Sequence, residues 1–333
     1  MSTERGTGDD GAAAADWRPT ADPPALRRRA ALQARTREFF AARGVLEVET
    51  PVLSSSGLSD PQIESLATRV SGMSGPFFLN TSPEYSMKRL LAAGSGDIYQ
   101  LCKVFRDGER GRWHNPEFTL LEWYRLGFDD AALMTEVELL VARLLAPERL
   151  LEPAERLTYT EALQRHAGVD AHNAGDIELM RAAEKHGVVC KAELDRDAKL
   201  DLLMGLVVGP NLGRERPCFV CDYPASQAAL ARLKPGQPPV AARFELFLDG
   251  IELANGFHEL ADAEEQRGRF ARDLATRRAR GQVLPPVDER LLAALAAGMP
   301  DCAGVALGFD RLVAIALGAA RLSQGMAFSI DNA

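Results

Sequence analysis

Phe105-Arg-Asp-Gly-Glu-Arg-Gly-Arg-Trp-His-Asn-Pro-Glu-Phe-Thr-Leu-Leu-Glu-Trp-Tyr124 is the most informative stretch of this chain. An apolar run leads into it (Ile98 to Phe105) and a second lies inside it (Phe118 to Leu121), with a polar, Gly-bearing, Arg-rich segment between. That pattern predicts two antiparallel strands joined by a loop too long and too charged for a minimal hairpin turn. Arg106, Arg110 and Arg112, with His114 and Asn115, equip the loop to grip an anion. A merely solvated basic loop has the same composition.

A length of 333 residues allows one large α/β or α+β domain, or two smaller ones. The 46% hydrophobic and 26% charged fractions are those of a soluble globular protein. A net charge of −8 excludes a generalised basic surface for long nucleic acid, though not a local basic cleft. No apolar run reaches membrane-spanning length and the N-terminus has no signal-peptide core. Five scattered cysteines, an odd number, suit a reducing cytoplasm rather than a disulfide framework. Cys218-Phe-Val-Cys221 matches C-x-x-C, but it has no second pair and no nearby His. In the β-like run from Pro217 to Tyr223, residues three apart also point to opposite faces, which argues against zinc or redox chemistry. Residues 1–25, rich in Ala, Gly, Asp and Pro without periodicity, are expected to form a disordered tail ahead of one domain over 26–333.

Arg27 to Arg43 has the apolar stripe of a helix, closed by Gly44; Val45 to Thr50 then alternates as a strand until Pro51. Phe77 to Asn80 is a short strand, and Thr81-Ser-Pro-Glu84 supplies a cap and first turn for a helix running to Ala93. Glu84 in that turn could serve the helix dipole alone. Asp130 to Leu145 is amphipathic, and Arg196 to Val208 is helical up to Gly209-Pro210. Residues 150–200 hold shorter helices with no recognisable chemistry. His166, His172 and His186 fall there without ligand-like spacing.

Asp249-Gly250 between Arg243 to Leu248 and Ile251 to Glu259 is the strongest short hairpin signal. With those two residues in the turn, Leu248 faces Ile251 and Phe247 faces Glu252. Glu245 then lies one diagonal step from Glu252, roughly 7–8 Å between backbones. Glutamates so placed can share a hydrated divalent cation, typically magnesium; a solvent-exposed face is the alternative. Asn255, Phe257 and Glu259 share one face, and Gly256 lets something approach closely. Finally, Gly304-Val-Ala-Leu-Gly308-Phe-Asp-Arg311 runs into an apolar helix, where Arg311 asks for a nearby anion, phosphate or protein carboxylate.

In this order the strand ending in Pro51, the stretch from Phe105 to Tyr124 and the run from Gly304 to Leu312 resemble motifs 1, 2 and 3 of the class II aminoacyl-tRNA synthetase catalytic domain. Thr81-Ser-Pro-Glu84, His114-Asn-Pro-Glu-Phe118 and Asn255-Gly-Phe-His-Glu259 look like lysyl-tRNA synthetase within that class. The resemblance covers about residues 27 to 333 and implies an α+β fold, an antiparallel β-sheet flanked by helices, dimeric through motif 1. Several positions depart from the synthetases. Only about 25 residues precede the match, too few for an anticodon-binding OB barrel. Ala306 stands where lysyl synthetases usually have Gly, the motif 2 Phe-Arg-x-Glu reads Phe105-Arg-Asp-Gly108 with Glu109 one place late, and Phe328-Ser-Ile-Asp331 replaces a Phe-Pro-containing ending. Together with Gly44-Val-Leu-Glu-Val-Glu-Thr-Pro51 and Gly250-Ile-Glu-Leu-Ala-Asn-Gly-Phe-His-Glu259, these features resemble the stand-alone lysyl-synthetase paralogues that modify translation elongation factor P.

Those paralogues activate (R)-β-lysine with ATP and transfer it to a lysine side chain of the factor. The resemblance implies that Arg106 touches the substrate carboxylate and α-phosphate, and that His114 and Phe118 hold ATP, Phe118 by stacking on adenine. It gives Arg311 the γ-phosphate and Glu245 and Glu252 the magnesium, with Glu109 and Asn115 completing the ATP set. Glu84 and Glu122 then pair with one substrate amine, Tyr124 and Glu259 with the ε-amine, and Asn255 with the carboxylate, while Phe257 and Ala306 wall the pocket. Arg106 and Arg311 are the catalytic pair, because the chemistry needs positioning and charge stabilisation rather than a protein nucleophile. Two rival readings are a ligase that charges tRNA or a small amine, and a catalytically dead regulatory protein. The acidic charge argues against tRNA, and retention of Arg106, Glu245, Glu252 and Arg311 argues against a dead site.

Overall fold

The computed structural model of the protein describes residues 17–333. Its strands are β1 (Leu46–Glu47), β2 (Leu53–Ser54), β3 (Ala67–Thr68), β4 (Phe77–Leu79), β5 (Ile98–Phe105), β6 (Glu117–Leu126), β7 (Glu155–Thr158), β8 (Cys218–Pro224), β9 (Leu233–Lys234), β10 (Val240–Leu248), β11 (Ile251–His258) and β12 (Cys302–Gly308). The helices are α1 (Pro23–Ala41), α2 (Glu84–Ala92), α3 (Asp130–Leu145), α4 (Tyr159–Ala167), α5 (Asp176–Lys185), α6 (Arg196–Leu203), α7 (Ala263–Ala279), α8 (Glu289–Gly298) and α9 (Phe309–Ala316). A nine-stranded sheet in the order β1-β5-β6-β12-β11-β10-β8-β7, with β9 beside β10, forms the centre of the fold. All its pairings are antiparallel except β1 with β5 and β7 with β8 at its two ends. The expected α+β architecture is therefore present. A three-stranded sheet, β2-β4-β3, stands apart from it.

Local chemistry accounts for the elements that frame the site. Asp22 caps α1 by accepting from the Ala25 amide at 2.8 Å, and Pro23 and Pro24 occupy the first turn, where a missing N–H costs nothing. Helix α1 therefore starts ahead of the expected Arg27. Its Phe40 ring stacks on Tyr99 at 4.4 Å and meets Trp123 edge-on at 5.4 Å, fixing the helix to β5 and β6. Of the tail expected over 1–25, Thr20 bonds Ala327 and Pro23 onward is helical, while residues 1–16 lie outside the described residues.

The strand expected over Val45 to Thr50 narrows to Leu46 and Glu47, because the chain turns away at Pro51 toward the small sheet. The helix expected from Arg196 to Val208 stops as α6 at Leu203 and continues as one wider π turn over Met204–Val208. Helices α4, α5 and α6 close a second hydrophobic core with β7 and β8, around Leu163, Leu179, Leu200 and Val220. The role of residues 150–200 is at least structural. Both cysteines of the C-x-x-C stretch are free on β8. Among the described residues no helix is long and apolar enough to cross a membrane.

Candidate active site

Strands β5 and β6 pair from Ile98↔Tyr124 to Phe105↔Glu117, so residues 106–116 form the long loop the sequence predicted. Next to β6, β12 aligns Glu122 with Ala306 and Tyr124 with Gly304. The following strand, β11, aligns Ala306 with Asn255 and Gly304 with Phe257, and β10 then aligns Asn255 with Glu245 and Phe257 with Arg243. Two rows result, Glu122-Ala306-Asn255-Glu245 and Tyr124-Gly304-Phe257-Arg243. Both rows lie along the floor of a cavity of about 760 Å³. The small side chains of β12 leave the space that their neighbours fill. A Cβ on Gly304 would lie 2.3 Å from the Tyr124 ring and 2.5 Å from Glu259 Oε1.

The hairpin follows the predicted turn, with Leu248 opposite Ile251, Phe247 opposite Glu252, and positive φ at Asp249 and Gly250. A bulge shifts the register between Leu246 and Phe247, with Leu253 as the extra residue, so Glu245 pairs with Asn255 and does not lie the expected single diagonal step from Glu252. Sequence alternation could not reveal it. Gly256 does admit a close neighbour, but that neighbour is the Phe244 ring, 2.4 Å from where a Cβ would stand.

At one end of the cavity, Glu84, Glu122, Tyr124 and Glu259 come together. Tyr124 donates to Glu122 Oε1 at 2.7 Å, while Glu122 Oε2 is buried without a hydrogen-bond partner. The Lys88 ammonium, which the sequence reading missed, lies 2.7 Å from Glu84 Oε1 and 2.6 Å from Glu259 Oε2. Burial, reinforced by Glu84, holds the Glu122 carboxyl well above the usual carboxylate range. Burial also raises Glu259 to about 7, against the opposing pull of Lys88. Three carboxylic acids with one ammonium leave this end short of positive charge.

At the other end, Arg311 donates to the Glu252 carbonyl at 2.8 Å and lies 2.9 Å from His114 Nε2. Burial and the adjacent Arg311 cation lower the His114 pKa, so the imidazole is neutral and accepts from the guanidinium. Arg106 approaches Glu109 at 3.4 Å and the Thr81 carbonyl at 3.4 Å, with its guanidinium 5.0 Å from the Phe118 ring centre. Asn115 lines the same cavity, yet its amide is committed to protein: Nδ2 donates to the Glu117 carbonyl at 2.6 Å and Oδ1 accepts from the Ile330 amide at 3.0 Å. Glu245 accepts from Arg243 at 2.5 Å, and burial raises it to about 7 with Glu252 adding to the rise. Arg110 and Arg112 turn from the cavity, Arg110 to Asp331 and Arg112 to the Ala320 carbonyl.

Two supporting groups had no signal in the sequence. Buried Asp310 accepts from the Thr119 amide at 2.7 Å and pairs with Arg29 of α1, fixing the start of α9 and hence Arg311 against β6. Arg243 likewise holds Glu245 and donates to Asn255 Oδ1 at 3.3 Å. The Asp310 contacts join residues far apart in the chain, whereas those of Arg243 lie within one hairpin and follow its bulged register. Only the spacing of Glu84 and Lys88 (i, i+4 on one helix) was visible in advance.

Residues 14–332 match the family model described as tRNA synthetases class II (D, K and N). The chain belongs to that family of class II synthetases. Proteins from Salmonella arizonae, Salmonella dublin and Salmonella paratyphi B, each named elongation factor P--(R)-beta-lysine ligase, are 50% identical to it over 325 residues. Each alignment covers 96% of this chain and 99% of the relative.

Gly304→Ala tests the floor. The new methyl must displace Tyr124 or Glu259, and overpacking of this kind costs about 1–3 kcal/mol of stability, measured by chemical denaturation. An unchanged midpoint and slope would show that the two side chains have room to move.

Proposed function

We propose that this chain is an ATP-dependent ligase that activates (R)-β-lysine, or lysine, as an adenylate and transfers it to a lysine side chain of translation elongation factor P. The observation that carries the proposal is the inner end of the cavity, where, among the described residues, Glu84, Glu122 and Glu259 meet one ammonium, Lys88. Buried carboxylates need cations, and a diamino acid supplies two. Glu84 and Glu122 take one amine and Tyr124 and Glu259 the ε-amine, while Asn255 holds the carboxylate between Phe257 and Ala306. The names of the relatives and the family membership point the same way.

Arg106 and Arg311 lie toward the phosphates, with His114 and Glu109 beside them and Phe118 offering its ring to adenine. Asn115 braces the loop against the C-terminal segment. The substrate carboxylate attacks the α-phosphorus, pyrophosphate leaves, and the guanidinium groups stabilise the developing negative charge. The ε-amine of the acceptor lysine then attacks the adenylate carbonyl, AMP leaves with the bonding electrons, and the amine loses a proton as the amide forms. Glu245 and Glu252 suit Mg²⁺, which uses one or two carboxylates with phosphate oxygens; bound there it would neutralise phosphate charge. Burial and the like charge of Glu252 both raise Glu245, and a divalent cation would relieve that repulsion. Action on a translation factor sets the work in the cytoplasm. A second copy would cover Leu46, Val52 and Leu53, which are exposed around motif 1.

Incubation with ATP, Mg²⁺, a lysine isomer and elongation factor P should release AMP and add one lysyl mass to the factor. Charging of tRNA instead would make this a synthetase, and no AMP with any isomer would leave a regulatory protein. Arg311→Ala should remove adenylate formation; near-normal AMP production would mean that the phosphates lie elsewhere. The pH dependence has a definite sign. An ammonium binds the ionised carboxylates, and the empty pocket holds protons because its acids are raised. KM for the diamino acid should fall as pH rises through about 7, the value for Glu259. A KM flat from pH 6 to 8 would contradict protonated acids in the empty pocket. Light scattering should give twice the 36.2 kDa chain mass, and a monomer would remove the motif 1 interface.

A further inference from the structure

We propose that Lys88 sets the charge of the amino-acid pocket: its ammonium cancels one of the three carboxylates gathered there, leaves a deficit of two positive charges, and so selects a substrate with two ammonium groups. The inference rests on the diamino-acid reading above and assigns Lys88 a specificity-setting role that can be tested on Lys88 itself. Lys88 is 2% exposed and lies one helical turn beyond Glu84 on α2. A buried lysine is expensive unless paired, and this one touches both Glu84 and Glu259 rather than solvent. The ammonium bridges the two carboxylates, so it holds Glu84 and Glu259 in place before substrate arrives. Glu122 is left over, with Oε2 unpartnered and only Tyr124 bound to Oε1.

The charged and titratable groups around the ammonium come from every wall. Glu84 and Tyr85 stand on α2, Glu122 and Tyr124 on β6, Glu259 after β11, and Cys302 on β12. Arg232 acts on Glu259 from behind, and Asp273 of α7 acts on Tyr85. Lys88 lowers the proton affinity of Glu122 and Glu259 in this setting. Without it the pocket would carry one more negative charge than a diamino acid can match, and its carboxylates would retain protons to higher pH. Lys88 touches no reacting atom and is a positioning residue.

The test is KM for the diamino acid against pH, read by ATP–pyrophosphate exchange in wild type, Lys88→Met and Lys88→Arg. Lys88→Met should move the limb on which KM falls about one pH unit higher, while Lys88→Arg, which keeps the charge, should leave it near the wild-type position. An unmoved limb in a folded Lys88→Met protein, or an equal movement in both variants, would overturn the inference. If Lys88→Met does not fold, the wild type decides. It should favour β-lysine over the same acid lacking the ε-amine by about a hundredfold or more in kcat/KM, and near-equal use of the two would overturn the charge rule. Absence of exchange with every diamino acid would instead defeat the functional reading itself.

Discussion

A carboxylate taken out of water must find a cation or keep its proton, and this fold buries Glu122 and Glu259 at one end of a cavity with the half-buried Glu84 beside them. Everything around them serves that burial. Helix α2 brings Glu84 together with Lys88, β6 brings Glu122 with Tyr124, and the end of β11 brings Glu259. Strand β12 contributes almost no side chain at Gly304 and Ala306, so the acids of its neighbours can converge above it. The antiparallel register of β6, β12 and β11 is therefore a chemical constraint as well as a structural one. A slip of one residue would turn Glu122 and Glu259 to the other side of the sheet.

The opposite end of the cavity follows different physics. There the protein collects cations at a loop and a helix start, and holds them and their neighbours with buried ion pairs. Asp310 points away from Arg311 yet fixes the helix that carries it, through Arg29 and the Thr119 amide. Arg243 holds the carboxylate of Glu245 where an unheld side chain would have many rotamers. Preorganisation of this kind leaves little reorganisation for the reaction to undergo.

Much of this was legible in the sequence for definite reasons. Alternation on β6 and β11 put Glu122 with Tyr124, and Asn255 with Phe257 and Glu259, because side-chain period is fixed by the pleat. Asp249-Gly250 gave the turn because few residue pairs accept positive φ twice. The bulge at Leu253 was invisible, since an extra residue leaves no local signature, and with it went the pairing of Glu245 with Asn255. The partners Lys88–Glu259 and Arg29–Asp310 were also invisible, being set by tertiary packing, and Arg243–Asn255 followed the hidden hairpin register. Gly256 was legible as a close approach but not as a contact with Phe244.

The central claim is that the empty pocket holds its excess acids as protonated groups and that a diamino acid displaces those protons. Calorimetric titration of the protein with β-lysine at pH 7, repeated in two buffers of different ionisation enthalpy, measures this directly. The raised Glu122 and Glu259 predict release of about one proton or more for each diamino acid bound. Binding with no net proton release would contradict it.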